Sequence, residues 1–186
     1  MTTGAFQRLV DLVAPPSAGA AVQWADVEDR LGLTLPLDYK LIVETYGAGL
    51  FGDEVTVWVP GGAGGEDLFS EGPAALEVFG EVREFVVEDH QTWVEPDGSE
   101  SPVNAAAIPA GFTPWGGGAS GAYGFWHRVG DDPEAWPVLY VDFREALYLY
   151  HRGGIAGFIV DLLTSTYPRD RILVELPRSP GFAAIP

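Results

Sequence analysis

Carboxylates are the side chains whose number and spacing in this chain could do chemistry. They recur in pairs at Asp53-Glu54, Glu66-Asp67, Glu88-Asp89 and Asp131-Asp132, the last followed by Glu134. Two carboxyl groups facing one another across a sugar ring can hydrolyse a glycosidic bond, one as acid and one as base or nucleophile. No pair here carries the alternating oxygen ligands, central glycine and closing glutamate of a calcium loop. Charge runs of this kind ordinarily form solvated faces.

Other chemistry is poorly represented. His90, His127 and His151 stand in separate segments without the spacing of a metal-binding helix such as H-E-x-x-H, so structural roles are expected for all three. Ser120 is followed by Gly121 and Ala122, which departs from the G-x-S-x-G nucleophile elbow. The glycine-rich run from Gly61 to Gly65 lacks the spacing and following lysine of a phosphate-binding loop. There is no cysteine, hence no disulfide framework, thiolate nucleophile or cysteine-based zinc site. No metal, no cofactor and no catalytic constellation is expected.

Charge narrows the partners. With 27 acidic against 10 basic residues the net charge is −17, and Lys40 is the only lysine. Such a surface repels nucleic-acid backbones and attracts basic proteins. No apolar run approaches the roughly 20 residues of a membrane helix, and the N-terminus lacks a basic segment followed by an apolar one. A cytoplasmic protein is therefore expected. Six Trp and seven Tyr supply core, and some of them, beside nearby glycines, could line a groove.

The elements that must position these residues follow from periodicity. Phe6, Leu9, Val10 and Val13 predict a short helix stopped by Pro15-Pro16, and a small-residue linker follows. Trp24, Val27 and Leu31 share one face of a second helix, closed by Gly32. Pro36 opens a third, in which Tyr39, Ile42, Val43 and Tyr46 share a face and Gly47 ends it. Val55 to Val59 alternate as a half-buried strand. Ala75, Val78, Phe79, Val82, Phe85 and Val86 predict a long helix from Pro73, with Glu77, Glu81, Glu84 and Glu88 on its exposed side. Gln91 to Asn104 is polar and reads as an exposed connection. Gly124–Val129, Val138–Phe143 and Ala146–His151 predict an antiparallel meander. Ile155, Phe158, Ile159, Leu162 and Leu163 predict a final amphipathic helix, and the tail from Pro168 is expected to wrap the surface. Together these make a single α+β domain over residues 1–186, a mainly antiparallel sheet with helices packed on it.

The ordered set Trp24, Val27, Glu28, Leu31, Gly32, Leu35, Pro36, Asp38, Tyr39, Lys40, Tyr46, Gly47 and Gly49 resembles the N-terminal signature of the SUKH superfamily, the Smi1/Knr4-like proteins. Pro114, Trp115 and Gly116, with Gly121 and an aromatic pair ending in Trp126, resemble its second signature. That signature commonly carries Gly-Asp or Gly-Asn where this chain has Gly121-Ala122, so no role of that side chain transfers. The resemblance covers about Trp24 to Thr166, leaving an N-terminal helix and linker and a proline-rich tail outside it. It implies the same α+β architecture. It also implies an immunity protein that neutralises a bacterial toxin, such as a nuclease, by binding it.

On that reading acidic loops would occupy a basic phosphate-binding surface, and Asp53, Glu54, Glu66, Asp67, Asp131, Asp132 and Glu134 are the candidate partner-binding residues. A regulatory or scaffold module like the fungal cell-wall regulators is the alternative, and a carboxylate-based hydrolase stands last. The oligomeric state has no signature in the sequence.

Overall fold

The structure, a computed structural model, describes residues 2–17, 19–62, 67–83, 92–102, 104–143, 147–164, 166–167 and 180–185. Along these run α1 (Thr2–Leu12), α2 (Trp24–Leu31), α3 (Leu37–Tyr46), β1 (Gly49–Phe51), β2 (Val55–Val57) and α4 (Leu68–Glu81). Then come β3 (Thr92–Val94), β4 (Glu100–Pro102), β5 (Phe112–Gly118), β6 (Tyr123–His127), β7 (Val138–Asp142), β8 (Leu147–His151), α5 (Gly154–Leu163) and β9 (Phe182–Ala184). All nine strands share one sheet in the order β4-β3-β8-β7-β6-β5-β2-β1-β9. Every neighbouring pair is antiparallel except β3 and β8. The expected α+β architecture is the observed one.

Alternation along β6 shows how the layers are built. Phe125 points to one face, where Phe79 of α4 stacks on it at 4.6 Å between ring centroids. Trp126 points to the other and meets the ring of Tyr39 from α3 edge-on at 5.2 Å. On that second face α5 packs on β7 and β8, and α1 and α3 pack on α5. Helices therefore cover both sides of the central strands. Covering both sides changes two expectations. Val55 to Val59 are all buried rather than half-buried, and α5 buries eight of its ten residues instead of one stripe.

Other boundaries differ for local reasons. The helix expected from Pro73 starts at Leu68, because Asp67 caps it by accepting the Phe69 N–H at 3.2 Å. Glu77 and Glu81 are exposed as expected, while Glu84, Phe85, Val86 and Glu88 lie outside the described residues. The stretch read as an exposed connection forms the β3–β4 hairpin. Its apolar pair, Trp93 and Val94, is buried and docks beside β8, while its polar residues face solvent at the sheet edge. Much of the proline-rich tail lies outside the described residues. Its end forms β9, which pairs with β1 and packs Phe182 against Phe51 and Tyr46. Neither β1 nor the Gly- and Pro-rich β5 had strand periodicity to announce it.

Gly124 of β6 lies under the indole of the fully buried Trp115, so a Cβ there would stand 2.4 Å from that ring. Gly124→Ala should lower stability by about 1–3 kcal/mol, read as an earlier urea midpoint. Gly4→Ala, in α1 with nothing within 4 Å of the added atom, should instead raise it by up to about 1 kcal/mol. Equal midpoints for Gly124→Ala and wild type would refute the packing account.

Candidate functional site

Asp38 is the buried charge around which a recess forms. It follows Leu37 in the first turn of α3, yet its side chain is 2% exposed. Its Oδ2 accepts the Ala156 N–H at 3.1 Å, so a carboxylate from α3 caps the start of α5. No side chain of α5's own flank does so, since that position is Gly153. The cap depends on Gly154, whose φ is +75° and whose Cβ, if present, would lie 2.5 Å from Oδ2. The unpaired N–H groups and positive dipole end of α5 favour the carboxylate. Burial nevertheless dominates and pushes the Asp38 carboxyl up to about 6, against the pull of those N–H groups and with a further push from Glu134.

The other Asp38 oxygen, Oδ1, has no hydrogen-bond partner among the described residues. Asp38 lines a recess with Pro36, Trp126, Pro133, Glu134, Trp136 and the Gly153-Gly154 corner. The recess holds about 10 Å³, room for one water-sized atom. Glu134 closes one side through its Oε1, which accepts the Leu37 N–H at 2.6 Å. Asp132 in turn accepts the Glu134 N–H at 3.0 Å, and Trp136 donates its indole N–H to Gly130 at 3.1 Å. On the other side Glu28 ties the α2–α3 link in place. It accepts the Leu35 N–H at 2.7 Å and pairs with Lys40 at 2.6 Å. Burial opposes ionisation of Glu28, but those two partners outweigh it and hold its carboxyl below the usual range.

Strand registers divide the candidate acidic residues between two ends of the sheet. Val55 pairs with Gly118, so the turn carrying Asp53 and Glu54 sits beside the β5–β6 turn. Phe112 pairs with His127 at the opposite end, where the β6–β7 connection carries Asp131, Asp132 and Glu134. Asp53 and Asp131 are exposed. Glu54 is engaged internally, accepting from the Ser120 hydroxyl at 2.5 Å and from the Tyr140 hydroxyl at 2.9 Å. Asp67 caps α4 and also accepts the Gly61 N–H at 2.8 Å. Glu66 and the Glu88-Asp89 pair lie outside the described residues.

The motif residues are mostly core. Tyr39, Tyr46, Leu35, Trp115 and Trp126 are at most 1% exposed, and only Trp24 of the motif aromatics is half-exposed. Tyr39 donates to the Trp58 carbonyl at 2.6 Å and Tyr46 to that of Val13 at 2.7 Å. Pro36 precedes the first turn of α3, Gly32 ends α2 in the left-handed conformation, and Gly47 ends α3. Gly49 and Gly116 lie on β1 and β5 against neighbouring backbone.

Two of the three histidines are engaged within the fold. His127 stacks on Phe112 at 4.6 Å and bonds the Tyr150 hydroxyl at 3.0 Å, and burial lowers its pKa. His151 accepts the Gly153 N–H on Nδ1, which places its proton on Nε2 facing Asp161 at 3.1 Å. Burial lowers its pKa too, against the pull of Asp161. His90 lies outside the described residues. Among the described residues no three metal-ligating side chains cluster, and no helix is long and apolar enough to cross a membrane.

Two larger recesses adjoin the Asp38 recess along the same face. One shares Pro133 and Trp136 with it, and shares Leu33 and Arg128 with the next. The face that carries these recesses is formed by the α2–α3 link, the β6–β7 connection and the N-terminal half of α4. Asp38, Arg30 and Arg128 were not singled out from the sequence for any role there. The signal for Asp38 was an acid among the apolar positions 39, 42, 43 and 46 of α3.

A family model described as SMI1-KNR4 cell-wall, of the SUKH group, matches residues 22–149. The chain belongs to that family. The match spans both signatures and the Asp38 recess except its Gly153-Gly154 corner, so the SUKH resemblance of the two motifs is a family relationship. No curated protein and no solved structure matches the chain.

Asp38 makes stability depend on pH. Its folded pKa of about 6 lies above the unfolded value of about 3.9, so the folded state holds the proton more firmly. The stability this group contributes is then full below about pH 4 and falls by roughly 3 kcal/mol as pH rises through 6. Asp38→Asn keeps an acceptor for Ala156 but does not titrate. Urea denaturation from pH 4 to 7.5 should show the variant gaining on wild type as pH rises. A gap that stays constant with pH would remove Asp38 as the titrating group.

Proposed function

We propose that this SUKH-family protein is a non-catalytic binding protein of the immunity type, which neutralises a cognate toxin in the cytoplasm by direct contact. The observation that carries the reading is the acidic corner of Asp131, Asp132 and Glu134. It stands on a fold of this family in a chain of net charge −17. Asp132 and Glu134 are locked into backbone hydrogen bonds, which holds their charge in a fixed place. A preordered acidic corner suits a basic phosphate-binding surface and speeds encounter with it. SMI1-KNR4 proteins are generally non-catalytic. Among the described residues the Ser70, Thr92 and Ser120 hydroxyls each donate to a carboxylate, of Glu71, Glu100 and Glu54, while His127 and His151 bond Tyr150 and Asp161 instead. The family's cell-wall description supports a second reading, an intracellular regulatory or scaffold module with an endogenous partner.

Affinity capture from the source organism, followed by an inhibition assay on any captured toxin domain, separates the two. A basic toxin whose activity is blocked supports immunity, and capture of only envelope-biosynthesis proteins supports regulation. With a toxin in hand, Asp131→Lys should slow association about threefold or more at low salt, and the effect should vanish near 0.5 M salt. Asp53→Lys, at the opposite end of the sheet, should leave the rate within about twofold. The reverse ranking would move the interface to the β1–β2 turn.

A further inference from the structure

Ten basic residues serve the whole chain, yet two arginines converge on a single apolar groove. The groove, about 430 Å³, runs between the end of α2, the first turns of α4 and the start of β5. Leu31, Leu33, Phe69 and Leu76 line it and are only half-buried, which leaves aliphatic and aromatic surface facing solvent. Arg30 and Arg128 stand exposed at its margins. Both guanidinium groups are held in place. Arg30 stacks on Phe69 with 3.6 Å between its Cζ and the ring centroid, and Arg128 donates to the Ala110 carbonyl. Among the described residues neither has a carboxylate within ion-pair distance.

We infer that this groove docks a segment of a partner protein that carries apolar side chains flanked by carboxylates. Covering the leucines and Phe69 removes water from the two guanidinium groups. An occupant without acceptors would leave them unpaired, at a cost exceeding what the apolar contact returns. Carboxylates fit the planar donor fork of arginine and satisfy it in the act of docking. The chemistry is opposite to that of the acidic corner, and the inference does not rest on the toxin-binding reading. The two surfaces are continuous, because the recess between them shares Leu33 and Arg128 with the groove.

The net charge makes the test discriminating, since at −17 the protein's overall field favours any cationic peptide over an anionic one. Two labelled eight-residue peptides, one alternating leucine with glutamate and one alternating leucine with lysine, are titrated into the ¹⁵N-labelled full chain. The glutamate peptide should bind more tightly and shift the amides of Arg30, Phe69, Leu76 and Arg128. The double variant Arg30→Gln with Arg128→Gln should weaken it about tenfold. The fold of that variant is checked by its amide spectrum away from the groove. Preference for the lysine peptide, shifts confined to other faces, or equal binding by the double variant would each overturn the inference. So would saturable binding of decanoate without binding of either peptide, which would make the groove a site for small amphiphilic acids.

Discussion

The hydrogen bond from the Ala156 N–H to Asp38 spans 118 positions of sequence and joins α3 to α5, two of the helices that share one face of the sheet. Neither helix caps that end of α5 locally, and neither could move without exposing a buried carboxylate or a row of unpaired N–H groups. The pairing explains why an acid is tolerated at 2% exposure and why a left-handed glycine begins α5. It also places the acidic corner. Glu134 reaches the Leu37 N–H one residue before Asp38, so the β6–β7 connection is hung from the same turn of α3. The recess and its flanking charges are thus consequences of one helix cap made at long range.

Aromatic packing holds the remainder of the face together. Trp24, Tyr39 and Trp126 meet edge-on in sequence, 5.6 and 5.2 Å apart, linking α2 through α3 to β6. On the opposite face Phe79 gathers Phe112, Phe125 and Phe143. Edge-to-face and stacked pairs of this kind add to the free energy of apolar burial. The large aromatic content is therefore mainly core, and the solvent-facing apolar surface of the recessed face comes from leucines and Phe69.

Much of the fold was legible, because helix faces such as Tyr39, Ile42, Val43 and Tyr46 and the three aromatic runs have clear periods. The parts that were not legible fail for identifiable physical reasons. Strand β5 is written Phe-Thr-Pro-Trp-Gly-Gly-Gly, and its glycines are there to admit neighbouring backbone and rings rather than to turn the chain. Strands β1 and β9 are three residues each, too short to show alternation, and exist through pairing across the length of the chain. The candidate site was legible only in part. Exposure of Asp53 and Asp131 follows from their loop positions, but Glu54 is occupied by Ser120 and Tyr140, which only the folded chain brings near, and Asp67 by the nearby Phe69 and Gly61 N–H groups. Asp38 sat inside a recognised motif without a visible role, because its partner is a backbone group of a distant helix. Arg30 and Arg128 lie 98 positions apart, and nothing in their local sequence relates them.

Charge on this face acts at two ranges. The excess of acid over the whole chain is a long-range field, attenuated over a screening length of about 8 Å at physiological salt, and it governs which proteins arrive and how fast. The groove with its two arginines acts at contact. On the proposed docking, desolvated pairing there would govern how long an occupant stays and would reject segments that bring apolar groups without acceptors. A partner that is basic overall but presents an apolar, acid-flanked segment satisfies both conditions, and few sequences do. On the two proposed bindings, selectivity on this face would follow from opposed local and global charge, with Leu33 and Arg128 as the residues where the two surfaces meet.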